Sequence, residues 1–350
     1  MQDKSGQDLA GHLITGTDIL ALLTGLLAAW CLCSLLVVVG RRHLLDVPVA
    51  RSAHQQAVPR GGGAAIVTGL ALAIAILLFS GTLTLQYTLV LACALPVAMV
   101  GFIDDFKALP VRIRLPLHLI SAASALWLLG PVPEPFFSGW LVMPNWLQAL
   151  ILMLALVWLL NLYNFMDGID TLAAAQCLFV CAAAGLMLWR LDDSLMLVCA
   201  ALFAATLGFL YWNVPPARLF MGDVGSTFLG FFLGLLGLIT HFNGVLSVWV
   251  WVLLMATFIA DTTLTLLRRL LAGHSITEGH STHAYQHLSR RWGSHLRVTA
   301  AYMMVNVLWS LPLAWLALTR PEYGVLFAIS GIVPLMIVAA LLGAGNRERQ

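Results

Sequence analysis

The sequence has little charge. Only 10% of its 350 residues are Asp, Glu, Lys or Arg, whereas 61% are hydrophobic, and the mean hydropathy is +0.92. Such values lie far from those of an ordinary soluble domain, so the composition indicates a polytopic membrane protein.

A cleavable leader and a disulfide frame are also missing. The first eighteen residues contain Asp3, Asp8 and Asp18 and lack a basic region before an apolar core, which is not typical of a signal peptide. The six cysteines all fall in apolar runs, without the paired loop spacing of disulfides or zinc sites. With no repeat, low-complexity tract or soluble domain evident, we expect one integral membrane domain over 1–350, with its core at about 18–343.

What the chain has instead is long apolar runs. Each run has roughly 17 to 25 residues, enough to cross about 30 Å of hydrocarbon as a helix. The runs cover residues 18–40, 63–80, 84–103, 115–131, 146–163, 171–190, 195–212, 226–242, 245–267, 298–318 and 324–343. The glycines Gly225, Gly230, Gly234 and Gly237 are expected to let helices approach closely. The sequence therefore predicts an all-α membrane protein with about eleven transmembrane helices.

The basic residues predict the orientation. With eleven spans, only Lys4, Arg190 and Arg320 of the 18 lysines and arginines fall on one side of the membrane. Since basic residues are retained in the cytoplasm, the N-terminus is predicted to be periplasmic and the C-terminus cytoplasmic. The chemically capable side chains then lie mostly in cytoplasmic segments.

Five carboxylates stand at predicted helix ends on that cytoplasmic side. They are Asp104, Asp105, Asp167, Asp170 and Asp223. Any one of them is explained as well by a solvated helix cap, but five in three glycine-bearing segments favour a shared site. Mg²⁺ is typically held by one or two carboxylates together with phosphate oxygens, so this pattern suggests a magnesium-dependent site for a phosphate substrate. The cations available to neutralise phosphate are Arg60, Lys107, Arg114 and Arg218.

The polar residues around these carboxylates leave alternatives open. His280, His283 and His287 would share one face of a helix; phosphate or sugar contacts, a structural loop and a zinc site are all compatible with them. His118 is interpreted as an isolated helix-end residue. Asp261 lies within the ninth run, where it is either a functional group or a buried partner of a neighbouring threonine.

Several motifs, taken in order, carry a resemblance. "PRGGG" (59–63), "GFIDDF" (101–106), "NFMDGID" (164–170), "NVPPARLFMGDVGS" (213–226) and the late histidine segment follow one another, separated by apolar runs. In this order they resemble the polyprenyl-phosphate N-acetylhexosamine-1-phosphate transferase superfamily (glycosyltransferase family 4), which includes phospho-N-acetylmuramoyl-pentapeptide transferase. The resemblance covers nearly the whole chain.

The resemblance implies a multi-pass enzyme of the bacterial inner membrane. Undecaprenyl phosphate would attack the β-phosphate of a UDP-HexNAc donor, giving undecaprenyl-diphospho-sugar and UMP with Mg²⁺, or Mn²⁺ as an alternative. It also implies a role for each matched residue: Asp104, Asp105, Asp167, His283 and His287 in catalysis; Asp223 and Asp105 at the metal; Asn164, Gly168, Asp170, Asn213 and Phe220 in substrate binding. Arg60 and Lys107 are expected to bind the substrate as well, because of their charge.

The histidine segment departs from the family's histidine clusters. Its "HAYQH" spacing (283–287) is more similar to the branch that initiates O-antigen and lipopolysaccharide synthesis, with donors such as UDP-N-acetylfucosamine. The alternatives are a UDP-GlcNAc-specific or peptidoglycan-precursor transferase and, from a different class, a secondary transporter. A homodimer is expected and a nucleic-acid partner is not.

Overall fold

The computed structural model of the protein describes residues 14–43, 45–46, 57–133, 143–274 and 280–346. Its α-helices are α1 (Gly16–His43), α2 (Gly63–Phe79), α3 (Leu85–Ala92), α4 (Leu95–Phe106), α5 (Val111–Leu129), α6 (Asn145–Met166), α7 (Leu172–Leu188), α8 (Asp193–Asn213), α9 (Asp223–Phe242), α10 (Val248–Leu254), α11 (Ala256–Leu271), α12 (Ala284–Trp292), α13 (His295–Val305), α14 (Leu311–Thr319) and α15 (Gly324–Leu341). Two short strands, β1 (Leu45–Asp46) and β2 (Val58–Pro59), pair antiparallel. A π-helical turn (Asn306–Ser310) joins α13 to α14, and a 3₁₀ turn (Pro321–Tyr323) precedes α15.

Every predicted apolar run coincides with one helix or with two consecutive helices. Within the described residues, seven helical stretches are long and apolar enough to cross a membrane, or eight if α10 and α11 count as one bent span. The apolar helices α2 and α7 are shorter, with 17 residues each. The all-α polytopic fold is thus confirmed, while eleven crossings, their orientation and the homodimer stay predictions.

Short polar side chains mark the start of several helices. Thr84, Asp192 and Ser294 each accept a hydrogen bond from the backbone N–H three residues later, which satisfies one of the amides that a helix start leaves unpaired. The first turns of α9 and α12 differ, because their leading amides donate to carboxylates on other helices. Both of these helices begin beside the site described below.

Helix α9 lies at the centre of the bundle, because most of its residues are buried. A Cβ on Gly230 would lie 2.6 Å from the Leu159 carbonyl of α6, and one on Gly63 of α2 would lie 2.1 Å from Cα of Gly225. At both positions the neighbouring backbone occupies the space that a side chain would need, so only glycine fits. The predicted close approach of helices along α9 is thus confirmed. It fixes the start of α9 between α2, α4 and α6.

The C-terminal part of the chain is held by polar contacts near the ends of its helices. Helices α10 and α11 are bent by 76° at their junction. At the other end of α11, Arg268 Nη1 donates to the Ala344 carbonyl (2.9 Å) just beyond α15. The amide of Gly345 in turn donates to the Thr282 carbonyl (2.8 Å), which ties the chain after α15 to the segment that precedes α12.

Candidate active site

Asp104 of α4 and Asp223 of α9 lie side by side because Gly101 lets the two helices touch. A Cβ on Gly101 would lie 2.5 Å from the carbonyl oxygen of Asp223. Arg114 of α5 contacts both carboxylates, with Nη1 at 2.5 Å from Asp104 Oδ2 and 3.6 Å from Asp223 Oδ2. Three sequence segments thus bring two carboxylates and one guanidinium into a single cluster.

Asp105, the next residue of α4, has a different environment. Its side chain is buried, and its two oxygens accept from the amides of Asp223 (3.0 Å) and Val224 (3.1 Å) at the start of α9. Arg60 donates to the Asp105 carbonyl, and its Nε lies 4.0 Å from the carboxylate. A carboxylate in this position stabilises the helix start through its amides and its dipole, so Asp105 holds the backbone that carries Asp223.

Gly222 makes this arrangement possible. Its φ of 76° and ψ of 172° lie in a region that is essentially restricted to glycine. A Cβ at this position would also lie 2.6 Å from Asp105 Oδ2. The glycine before Asp223 is therefore required by the Asp105 carboxylate packed against it.

The segment after α6 forms a second wall of the site. Asn164 Oδ1 accepts a hydrogen bond from Ser226 Oγ (3.0 Å) in the first turn of α9. Burial, together with the neighbouring carboxylates of Asp223, Asp105 and Asp170, raises the pKa of Asp167 well above its ordinary value. Asp167 can therefore hold a proton at a pH where a solvated aspartate would not.

The histidine segment forms a third wall. His283 directly precedes α12, is 2% exposed, and its ring centroid lies 4.9 Å from that of His280 and 6.2 Å from that of Phe165. Burial, with His283 and Arg269 nearby, lowers the pKa of His280 to about 3, so its imidazole is neutral at physiological pH. His287 instead contacts Arg290, with 3.1 Å between Nδ1 and Nη2, and does not line the cavity. The three histidines therefore do not share one face: His280 precedes the helix and His287 turns away.

These walls enclose a cavity of about 570 Å³. Its polar lining comprises Asp104, Arg114, His118, Asn161, Asn164, Asp223, Thr227, His280, His283, Tyr285 and Gln286. Its apolar lining comprises Val100, Val111, Leu115, Leu154, Val157, Trp158 and Phe165, on α4, α5 and α6. A charged cluster and an apolar groove between helices thus belong to one continuous space, which suits an amphiphilic substrate.

The cavity wall contains only some of the predicted site residues. Asp104, Asn164, Gly168, Asp223 and His283 line it. Asp105 and Arg60 lie behind Asp223, and Asp167 lies beside Gly168. None of their predicted catalytic, metal or binding roles is tested by these positions, so the roles stay predictions.

Other predicted residues stabilise the loop between α8 and α9. Asn213 Oδ1 accepts from the Thr171 amide (2.8 Å), and its Nδ2 donates to the Leu219 carbonyl (3.0 Å). Asp170 Oδ2 accepts from the Ala217 amide (3.2 Å) and lies 3.3 Å from His295 Nδ1. These contacts explain the polar side chains structurally, and substrate binding by Asn213 and Asp170 stays a prediction.

Phe220 and Lys107 lie outside the cavity lining. The backbone of Phe220 pairs with Pro59 and Gly62, and Lys107 is exposed at the end of α4. Their predicted substrate contacts are untested. Residues 275–279, within the late histidine segment, lie outside the described residues.

Sequence reasoning missed several residues of the cavity wall. The interpretation of His118 as a helix-end residue was wrong, because it lies inside α5, one turn after Arg114, and lines the cavity. It is 5% exposed, and its Nε2 makes no hydrogen bond within the described residues. The four-residue spacing from Arg114 was the signal that could have placed it on the same helix face. Tyr285 and Gln286, in the spacer between the predicted histidines, carried no such signal.

The side chains at the cavity indicate which kind of metal ion the site could bind. Within the described ranges, no three His, Cys, Asp or Glu side chains converge so as to hold a metal ion by themselves. Mg²⁺ requires fewer protein ligands, because substrate phosphates and water complete its coordination. Asp104 and Asp223 are close enough to interact directly, and a cation between two such carboxylates offsets their repulsion. The oxygen donors at the cavity therefore fit Mg²⁺.

A comparison with known proteins finds a protein family that is similar to the part of the chain that forms most of this site. The profile of glycosyl transferase family 4 matches residues 87–241, which include Asp104, Asn164, Asp167 and Asp223. The match ends before the histidine segment.

Individual relatives extend the similarity. The chain is 28% identical over 324 residues to a probable undecaprenyl-phosphate N-acetylglucosaminyl 1-phosphate transferase of Bacillus subtilis, covering 87% of this chain and 86% of the relative. It is 35% identical over 207 residues to a phospho-N-acetylmuramoyl-pentapeptide-transferase of Moorella thermoacetica (54% of this chain, 64% of the relative). Another such transferase, from Rhodopseudomonas palustris, is 29% identical over 227 residues (55% and 62%).

Proposed function

Since the chain belongs to glycosyl transferase family 4, the superfamily of polyprenyl-phosphate hexosamine-1-phosphate transferases, we propose that it transfers a HexNAc-1-phosphate from a UDP-sugar to undecaprenyl phosphate at the cytoplasmic face of a bacterial inner membrane. The observation that carries this proposal is the continuity of the cavity. The Asp104–Asp223–Arg114 cluster opens directly onto an apolar groove on α4, α5 and α6. A lipid phosphate needs both parts of such a space.

The proposed reaction is an in-line phosphoryl transfer. An oxygen of the acceptor phosphate forms a bond to the β-phosphorus of the donor, the bond from that phosphorus to the bridging oxygen breaks, and UMP leaves with that oxygen. The acceptor is already an anion and needs no strong base, so the protein's contribution is positioning and stabilisation of charge. Arg114, which touches Asp104 and faces the cavity, supplies a cation for the phosphates.

The proposed metal site uses the carboxylates that reach the cavity. Asp223 and Asp104, with phosphate oxygens, would hold Mg²⁺, which would neutralise the diphosphate and polarise the β-phosphorus when bound. Asp105 would act through its hydrogen bonds to the amides of Asp223 and Val224. His280 and His283 would contact the sugar phosphate from the other wall.

The identity of the sugar is the finer part of the proposal. The name of the Bacillus relative, which matches most of the chain, favours UDP-N-acetylglucosamine as the first donor to test. The "HAYQH" spacing favours an O-antigen-type donor such as UDP-N-acetylfucosamine. A proton-coupled transporter would need an acid within the membrane that is free to titrate. This alternative is disfavoured because Asp261, the acid within α11, accepts hydrogen bonds from neighbouring protein groups.

The experiment is UMP release by the full chain purified in detergent, with undecaprenyl phosphate, Mg²⁺ and a panel of UDP-HexNAc donors. Asp223→Asn should lower the rate at least about 100-fold, because it removes charge directly at the proposed phosphate site. Asp193→Asn is the matched control, since Asp193 lies at the other end of α8 from the site. It should keep nearly full activity.

The arms of this experiment separate the alternatives. Release that depends on lipid, metal and Asp223 supports the transferase, and the best donor identifies the sugar. A secondary transporter has no meaningful turnover in detergent without a sealed membrane. Release that is equal without lipid, or unchanged in Asp223→Asn, would contradict the proposal.

A further inference from the structure

Asp261 has unusually complete hydrogen bonding for an acid within a helix of the bundle. It lies in α11 and is 2% exposed. Its Oδ1 accepts from the Ala284 amide (2.9 Å) and Thr265 Oγ1 (3.2 Å), and its Oδ2 accepts from the Tyr285 amide (3.1 Å) and the Tyr302 hydroxyl (2.7 Å). Nδ1 of His283 lies 3.5 Å from Oδ1. An acid at such depth is costly and is rarely present without a function.

Asp105 has the same kind of hydrogen bonding to a helix start. Each carboxylate accepts from two consecutive amides at the start of a helix that follows later in the chain: Asp223 and Val224 for Asp105, Ala284 and Tyr285 for Asp261. In both cases a residue at that helix start lines the cavity: Asp223 begins α9 and His283 directly precedes α12. The two carboxylates thus hold two walls of one site.

Helix α12 needs such a support. It has nine residues, and helices of that length are marginal without tertiary contacts. The Tyr285 hydroxyl, which donates to the Phe165 carbonyl (2.9 Å), attaches the helix to the wall formed by the end of α6. The Asp261 carboxylate is what holds its two leading amides.

We propose that Asp261 is a positioning residue of the transferase site: its carboxylate holds the first turn of α12 and so keeps His283 on the cavity wall. The inference rests on the proposed function for the role of His283, and on geometry alone for the attachment of α12. An asparagine cannot replace the acid, because both carboxylate oxygens accept hydrogen bonds. The NH₂ group of an asparagine would stand in place of one oxygen and would face donors that it cannot accept from.

The first test is hydrogen exchange measured by mass spectrometry on the full chain in detergent. In Asp261→Asn, the peptide spanning 281–288 should exchange about 5- to 30-fold faster, as expected for the loss of a helix cap. The peptide spanning 223–228 should be unchanged. Tyr302→Phe removes one donor without touching the acid, and should give a smaller change at the same peptide. Thr262→Val is the matched control, because Thr262 is buried beside Asp261 and its Oγ1 makes no hydrogen bond within the described residues.

The second test is a double-mutant cycle on UMP release. If Asp261 acts through His283, Asp261→Asn should lower kcat roughly 100-fold with little change in the KM of the donor. Combining it with His283→Ala should then be no worse than His283→Ala alone. A residue that merely stabilises the fold would give losses that multiply.

The outcomes are distinguishable. Unchanged exchange at 281–288 in Asp261→Asn overturns the attachment, and multiplying losses overturn the positioning role. If the wild-type protein released no UMP with any donor, the proposed function would fail, while the exchange experiment would still decide whether Asp261 holds α12.

Discussion

Replacing Gly222 by alanine tests whether the backbone before Asp223 is set by the Asp105 carboxylate. Gly222 has φ 76° and ψ 172°, a region in which a side chain costs about 1–3 kcal/mol. Gly130, at the end of α5, has φ 87° and ψ −160°, and a Cβ added there would have no neighbour within 4 Å among the described residues. Gly130→Ala therefore reproduces the backbone strain without the contact.

The contact adds a further cost at Gly222. The new Cβ would lie 2.6 Å from Asp105 Oδ2, whereas ordinary contact begins at 3.4 Å. A retreat of that size is enough to break a hydrogen bond of 3.0 or 3.1 Å to the amides of Asp223 and Val224. Losing one bond to a charged group costs about 1.5–3 kcal/mol. We therefore expect Gly222→Ala to be about 2 kcal/mol less stable than Gly130→Ala.

Two assays measure the difference. A thiol-reactive dye on the buried cysteines Cys33, Cys177 and Cys199 reports thermal unfolding in detergent. UMP release, measured well below both transitions, should fall about 100-fold in Gly222→Ala because Asp223 is displaced, and should stay near wild type in Gly130→Ala. Equal losses of stability and activity in the two variants would refute the role assigned to Asp105.

Three further predictions concern other parts of the site. Because the pKa of Asp167 is raised in the folded protein, thermal stability should fall as pH rises from about 4 through that raised pKa, and Asp167→Asn should flatten the fall; parallel curves would contradict this. Gly230→Ala places a Cβ 2.6 Å from a carbonyl of α6 and should lower the free energy of unfolding by about 1–3 kcal/mol, whereas Gly185→Ala, with 3.6 Å to its nearest neighbour, should not. Arg114→Gln should lower kcat and also lower the Mg²⁺ concentration for half-maximal rate, since a competing cation is removed from two carboxylates. Arg112 is exposed, and Arg112→Gln should change neither quantity. A higher Mg²⁺ requirement in Arg114→Gln would refute the competition between Arg114 and the metal.

The sequence predicted the all-α membrane fold because that fold follows from local composition. An apolar run of about 20 residues must satisfy its own backbone hydrogen bonds in a membrane, and a helix does so. The sequence could also place Asp104 and Asp223 in a shared site, since several carboxylates at the ends of apolar helices have few structural reasons to occur together. The close packing at Gly230 followed from the same kind of local pattern.

Only the tertiary structure decided which of the acids line the cavity and which hold a helix start. Asp104 and Asp105 are adjacent in sequence, yet successive residues of a helix point about 100° apart, so one lines the cavity and the other holds the start of α9.

The surroundings of Asp261 are likewise a result of packing, since its hydrogen-bond partners lie on α12 and α13. Those of His118 depend on how α4, α5 and α6 pack around the cavity. The sequence by itself determined which segments form apolar helices and placed most of the candidate carboxylates near the ends of those helices. The packing of α4, α9, α11 and α12 decided which of those groups face the cavity. That packing depends on contacts between separate helices, from 23 positions apart for Asp261 with Ala284 to 118 for Asp105 with Asp223.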